Sequence, residues 1–167
     1  MPRVEKLLLA AADYDRIVAH AKEGLPNEAC GLIAGTVAGE GEAAVGTVEH
    51  VYLLTNIDES NEHFSMDPRE QLAAVKDARA HGWEMLGNWH SHPESPSRPS
   101  EEDKRLAFDS TAAYLILSLM DPEHLVRNAF HVEHDKQVAR VPLEVLRQRR
   151  DRRFDRDVGC GWRGDAA

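Results

Sequence analysis

The run from Ala112 to Leu119 is apolar on both faces of an extended chain, and it limits the fold more than any other stretch. A strand with no polar face has to lie inside a sheet that is covered on both sides. Its wholly apolar part, Ala112 to Leu117, is far shorter than the roughly 20 residues that a membrane-spanning helix needs. Neighbouring segments supply the covering layers. Tyr14, Ile17, Val18, Ala21 and Leu25 recur at helical spacing behind Asp13, which is expected to cap that helix, and Gly24 and Pro26 stop it. Asp67-Pro68 sets an N-cap and a first-turn proline ahead of Leu72, Val75 and Arg79, so a second helix is predicted to about His81-Gly82.

The remaining text reads as strands and turns. Cys30 to Gly35 and Val45 to Leu54 form a predicted hairpin through Gly39-Glu40-Gly41-Glu42, with glycine where the chain must reverse. Trp83 to His92 is expected to be extended. Pro93 to Pro99 carries three prolines and two serines, which bars helix and sheet alike, and Ser100 then opens a short third helix. Val126, Asn128, Phe130 and Val132 alternate with Arg127, Ala129, His131 and Glu133, the pattern of a half-exposed strand, which Asp135-Lys136 turns into Gln137 to Val141. From Leu143 the chain is Arg-rich and is expected to form a helix anchored by Val145, Leu146 and Phe154 before it frays. The predicted architecture is a mixed α/β domain over 1–142, an α+β sheet with flanking helices, followed by an Arg-rich C-terminal helix or tail over 143–167.

With 167 residues, 42% of them apolar, the chain can bury one domain core without staples. Cys30 and Cys160 lie too far apart in sequence to suggest a disulfide framework, and Met1-Pro2-Arg3-Val4 lacks a signal-peptide pattern. A cytoplasmic protein without a membrane span is the expectation. The formal charge is −9, and residues 144–167 hold seven arginines against five acids, so the body is more acidic than the whole. Such a body repels phosphate, which argues against nucleic acid as a partner. The basic tail could dock on the acidic body of a second copy and give a homodimer.

The chemistry concentrates in His90-Ser91-His92-Pro93 and Ser100-Glu101-Glu102-Asp103. Side chains two apart on a strand point to one side, with α-carbons about 6 to 7 Å apart, so His90 and His92 could converge on one ion. A catalytic zinc takes three protein ligands and leaves a position for water, and Asp103 can return as the third after the proline-bearing loop. Ser100-x-x-Asp103 is also close to a helix capping box, and the two readings are compatible. Asn88, on the histidine face of the strand, and backbone carbonyls are candidates for orienting the imidazoles. Trp83 and Trp89 fall on the opposite face by parity and are expected in the core.

The spacing His90-Ser91-His92-Pro93, six residues, Ser100, two residues, Asp103 resembles the signature of the JAMM (MPN+) zinc metallopeptidases, in their stand-alone prokaryotic form. Pro26-Asn27-Glu28-Ala29-Cys30-Gly31-Leu32-Ile33-Ala34-Gly35 is similar to the segment that carries the family's upstream glutamate, which makes Glu28 the matching residue. The resemblance covers most of residues 7 to about 141 and leaves the Arg-rich tail without a counterpart. It implies a JAMM/MPN fold similar to that of cytidine deaminases and a Zn2+ ion held by His90, His92 and Asp103. It also implies Glu28 as general base and Ser100 as oxyanion donor. The implied partner is a ubiquitin-like or sulfur-carrier protein, cut after its C-terminal Gly-Gly. An extended diglycine suits a narrow groove, and the polar stretch Asn56 to Met66 is expected to form one wall of it.

Competing readings find less support. No histidine is followed by glutamate, so the His-Glu-x-x-His motif is absent, and His131-Val132-Glu133-His134 is expected to be solvated. Deaminase motifs and phosphate-binding glycine loops do not occur. A Cys30 nucleophile competes with plain burial in an apolar strand. From another class, a non-catalytic scaffold domain that has lost its metal remains the alternative to the enzyme. Neither the choice between deconjugation and carrier processing nor the substrate-binding residues can be read from the sequence.

Overall fold

A computed structural model describes residues 1–147. The strands are β1 (Lys6–Ala10), β2 (Cys30–Ala38), β3 (Val45–Leu54), β4 (Glu84–His92), β5 (Ala113–Ser118), β6 (Val126–Val132), β7 (Val138–Val141) and β8 (Leu143–Leu146). They form one mixed sheet in the order β7-β6-β5-β4-β2-β3-β1-β8. The helices are α1 (Ala11–Glu23), α2 (Pro68–Ala80) and α3 (Glu101–Leu106). The doubly apolar β5 is interior, parallel to β4 and antiparallel to β6. Ile17 and Ala21 of α1 join Ile33, Leu86, Trp89, Leu115 and Leu117 in one core, while Ala74 and Ala78 of α2 pack with Cys30, Leu32, Ala34 and Tyr52 in the other. The two long helices therefore cover opposite faces of the sheet, the mixed α+β arrangement that the residue pattern predicts.

Local signals explain several elements. The β2–β3 hairpin pairs from Cys30↔Leu54 to Ala38↔Val45, and its turn holds Gly39 at φ +81° and Gly41 at φ +57°, where a side chain would be strained. Asp67 caps α2 by accepting from the N–H groups of Arg69 and Glu70, with Pro68 in the first turn.

Four expectations are corrected. Asp13 does not cap α1: β1 runs straight into the helix, Ala10 holds the cap position without a side-chain hydrogen bond, and Asp13 lies in the first turn. There its charge meets the positive end of the helix. The second half of β6 is not half-exposed; Ala129 to Val132 are all buried. Accordingly His131 is not solvated: it is 1% exposed, with Nδ1 3.0 Å from the Ala112 carbonyl and Nε2 2.7 Å from the Val4 carbonyl. Finally, Leu143–Leu146 is a strand rather than the start of a helix. It pairs in parallel with Leu7 to Ala10, an edge of β1 that would otherwise lie open, and Leu143 and Val145 pack on the core. The sheet thus continues past 142. The rest of the Arg-rich stretch, with the helix and the docking expected of it, lies outside the described residues.

Candidate metal centre

Strand β4 sits between β2 and β5, in register Cys30↔His90↔Ile116, and ends with His92 opposite Ser118. Alternation along it sends Asn88, His90 and His92 to the α2 face and Trp89 to the α1 face. Trp89 is fully buried and donates its indole N–H to the Tyr52 carbonyl at 3.1 Å. Gly31 makes room for that approach, because a Cβ there would overlap both groups. Trp83 does not share its side: a register shift in the β2–β4 ladder at Ile33/Ala34 flips the parity, and Trp83 packs with the α2 core, its ring stacked on His81 at 4.4 Å between centroids.

His90 and His92 are each 2% exposed, and their Nε2 atoms lie 3.0 Å apart. Asp103 Oδ2 stands 3.3 Å from the first and 3.0 Å from the second. Three ligand atoms therefore converge on one point. A tetrahedral zinc with bonds of roughly 2.0–2.1 Å holds its ligand atoms about 3.3 Å apart, so the spacing fits such an ion. Two imidazole lone pairs meeting in a buried place also call for a cation or a proton between them. Among the described residues, this is the group of three that could hold a metal.

Two of the three ligands are fixed from behind. His92 Nδ1 lies 2.8 Å from the Pro96 carbonyl, a backbone partner of the expected kind. The loop that supplies this carbonyl is pinned by buried serines: Ser97 Oγ donates to the Ile116 carbonyl at 2.7 Å, and Ser118 Oγ to the Ser95 carbonyl at 2.6 Å. Asp103 is set by a full capping box, in which Ser100 Oγ accepts from the Asp103 N–H at 3.0 Å and Ser100 N–H donates to Asp103 Oδ2 at 2.8 Å. Burial opposes ionisation of Asp103, but its hydrogen bonds with His90 and His92 outweigh that and hold the carboxyl well below the ordinary range.

Glu28 lies just ahead of β2 and is 4% exposed. Burial pushes its carboxyl up to about 8; His92 pulls the other way, and Asp103, Glu102 and Glu62 add to the rise. The residue next to it, Ala29, is hydrogen-bonded to Ser91, which lies between the two histidine ligands. Two residues missed in the sequence hold Glu28 there. Ser91, between the histidines, accepts the Ala29 N–H on its Oγ at 2.8 Å, and its own N–H donates to the Ala29 carbonyl at 2.9 Å. Asn56 donates through Nδ2 to the carbonyls of Glu28 (3.0 Å) and His63 (3.1 Å), bracing the 56–66 segment against the glutamate. The only sequence signals were a small hydroxyl at position 91 and an asparagine two residues past the end of a strand.

Cys30 is buried and its thiol is pushed up to about 12, chiefly by that burial, so it is no thiolate nucleophile at neutral pH. Beside His90 and Asp103 opens a cavity of about 280 Å³ whose wall includes His63, Phe64, Ser65 and Met66, together with Asn88, Leu106 and Tyr114. No helix among the described residues is long and apolar enough to cross a membrane.

A family model described as prokaryotic homologs of the JAB domain matches residues 10–133. The chain is 32% identical over 114 residues to a desampylase of Haloferax volcanii, which spans 68% of this chain and 81% of that one. It is 28% identical over 142 residues to the CysO-cysteine peptidase of Mycobacterium tuberculosis, 85% and 92% of the two chains. The solution structure of protein DSY2949 from Desulfitobacterium hafniense shares 49% identity at a TM-score of 0.75, covering 85% of this chain and 94% of that one.

Proposed function

Because the chain belongs to the family of prokaryotic homologues of the JAB domain, and is a hydrolase of that JAMM type, we propose that it is a zinc metallopeptidase. Its substrate on this reading is a ubiquitin-like or sulfur-carrier protein, cut after a C-terminal Gly-Gly. The observation that carries the reading is the convergence of His90 Nε2, His92 Nε2 and Asp103 Oδ2 within 3.3 Å, beside a buried carboxyl. When bound there, zinc supplies Lewis acidity, making water acidic enough to attack near neutral pH and polarising the scissile carbonyl.

The chain's own groups do the rest. Glu28 takes the proton of the attacking water and delivers it to the amine nitrogen as the C–N bond breaks and the new C–O bond forms. Its raised proton affinity suits both halves of that transfer near neutral pH. Ser100 Oγ already accepts from Asp103, so its hydroxyl proton remains for the oxygen on which charge develops. The cap and the oxyanion donor are one side chain with two uses. The 63–66 wall of the cavity lies where an extended tail would have to run.

The test is to incubate zinc-loaded protein with a Gly-Gly carrier bearing either one extra C-terminal amino acid or an isopeptide-linked lysine, and to weigh the products. Loss of one extension at the diglycine is expected, and it also decides between carrier processing and deconjugation. Unaltered masses with stoichiometric zinc would overturn the substrate assignment, and protein that binds no zinc would return the scaffold reading.

A further inference from the structure

Among the described residues, the buried side-chain polar atoms left without a hydrogen-bond partner are Glu28 Oε2, Asn88 Oδ1 and His90 Nδ1. Folded interiors leave few such atoms, and here every one falls at a single site. Glu28 is explained by the proton it handles. The other two form a complementary pair. His90 turns Nε2 toward His92 and Asp103, so the neutral tautomer that can ligate there carries its hydrogen on Nδ1. That is a buried donor in need of an acceptor, and Asn88 Oδ1 is a buried acceptor in need of a donor, two residues away on the same face of β4.

The surroundings offer His90 no substitute. One face of its ring is stacked on Phe64, 4.7 Å between centroids, and its cross-strand neighbours are the apolar Ile116 and the neutral thiol of Cys30. Tyr114, beside Asn88, already donates its hydroxyl to the Asp109 carbonyl at 3.2 Å. His92, by contrast, has its Nδ1 against the Pro96 carbonyl. Of the two imidazoles, only one has its orientation fixed by a backbone group.

We propose that Asn88 is the positioning residue for the other: its Oδ1 accepts the Nδ1–H of His90 through one bridging water, and so fixes the ring's tautomer and aim. The inference rests on the metal-centre reading above but not on peptide cleavage.

Zinc affinity, measured by chelator competition, tests it. Asn88→Leu removes the acceptor at similar volume and is expected to weaken zinc binding roughly 10- to 100-fold, while Asn88→Asp, which still accepts, stays within a few-fold of the parent. The metal-free thermal midpoint of Asn88→Leu should not fall, which separates positioning from a merely structural role. Independently of whether that variant folds, zinc-loaded wild-type protein labelled with 15N-histidine should show a slowly exchanging Nδ1 proton on His90 that shifts in Asn88→Asp. Unchanged zinc affinity in Asn88→Leu, or a freely exchanging Nδ1 proton in the wild type, would overturn the proposal. Wild-type protein that takes up no zinc overturns it together with the metal centre, whereas zinc uptake without cleavage of any carrier overturns only the substrate reading.

Discussion

A carboxyl taken out of water, with one oxygen unpartnered, keeps its proton longer than a free one, and Glu28 is in that position. Its ordinary value is 4.5, and burial raises it to about 8. The unfolded chain therefore releases this proton near 4.5 while the folded chain holds it, so between those limits the unfolded state binds fewer protons. Stability must then fall as pH rises across that window. Urea unfolding of metal-free protein should show wild type losing more stability between pH 5 and pH 8 than Glu28→Gln, which cannot ionise; parallel losses would contradict the burial argument. The same variant should retain zinc and lose roughly 10²- to 10⁴-fold in kcat. Ser91 acts at one remove. Its fully buried hydroxyl is the acceptor for the Ala29 N–H, so Ser91→Ala orphans that group and should cost roughly 1–3 kcal/mol in denaturant unfolding, with zinc stoichiometry unchanged.

Helix α3 is only six residues long, and its first turn carries both the cap and a ligand. Ser100 therefore has a structural and a chemical duty, and two substitutions separate them. Ser100→Ala loses cap and hydroxyl together, at roughly 1 kcal/mol of stability, while Ser100→Gly restores most of the cap and still lacks the hydroxyl. If Ser100 stabilises the oxyanion, both variants should lose about 10²- to 10³-fold in kcat although their unfolding midpoints differ; recovery of activity in the glycine variant would reduce Ser100 to a cap. This part of the site could be read from the sequence because its geometry is local: strand parity aligns His90 with His92, and a capping box fixes Asp103. What could not be read depends on partners far along the chain. Asn56 reaches back 28 positions to the Glu28 carbonyl, and Ser91 reaches back 62 positions to Ala29. The ladder shift that moves Trp83 to the histidine side is likewise a property of two strands together, so parity counted along one strand misplaced it.

The sheet itself joins distant parts of the chain. Its centre was readable because β5 has no polar face and can sit nowhere else, whereas β8 was not, since the four residues Leu143-Glu144-Val145-Leu146 suit a short strand or a helix turn equally. The edge of β1, more than 130 positions earlier, decides the matter by offering Leu7 to Ala10 as a parallel partner, with the Leu7 N–H donating to the Pro142 carbonyl at 2.9 Å. A chain ending at Val141 would bare that edge and uncover the core beneath Leu143 and Val145, whereas one ending at Arg147 keeps both. The shorter chain should unfold at a lower temperature, by about 2–4 °C for each kcal/mol lost, and scatter more light on standing. Because β2, β3 and β1 stand between β4 and β8, zinc affinity should be the same in the two chains. Equal midpoints would mean that β8 adds nothing to the fold, and a drop in zinc affinity confined to the shorter chain would mean that the sheet transmits the loss of its edge across three strands to the metal ligands.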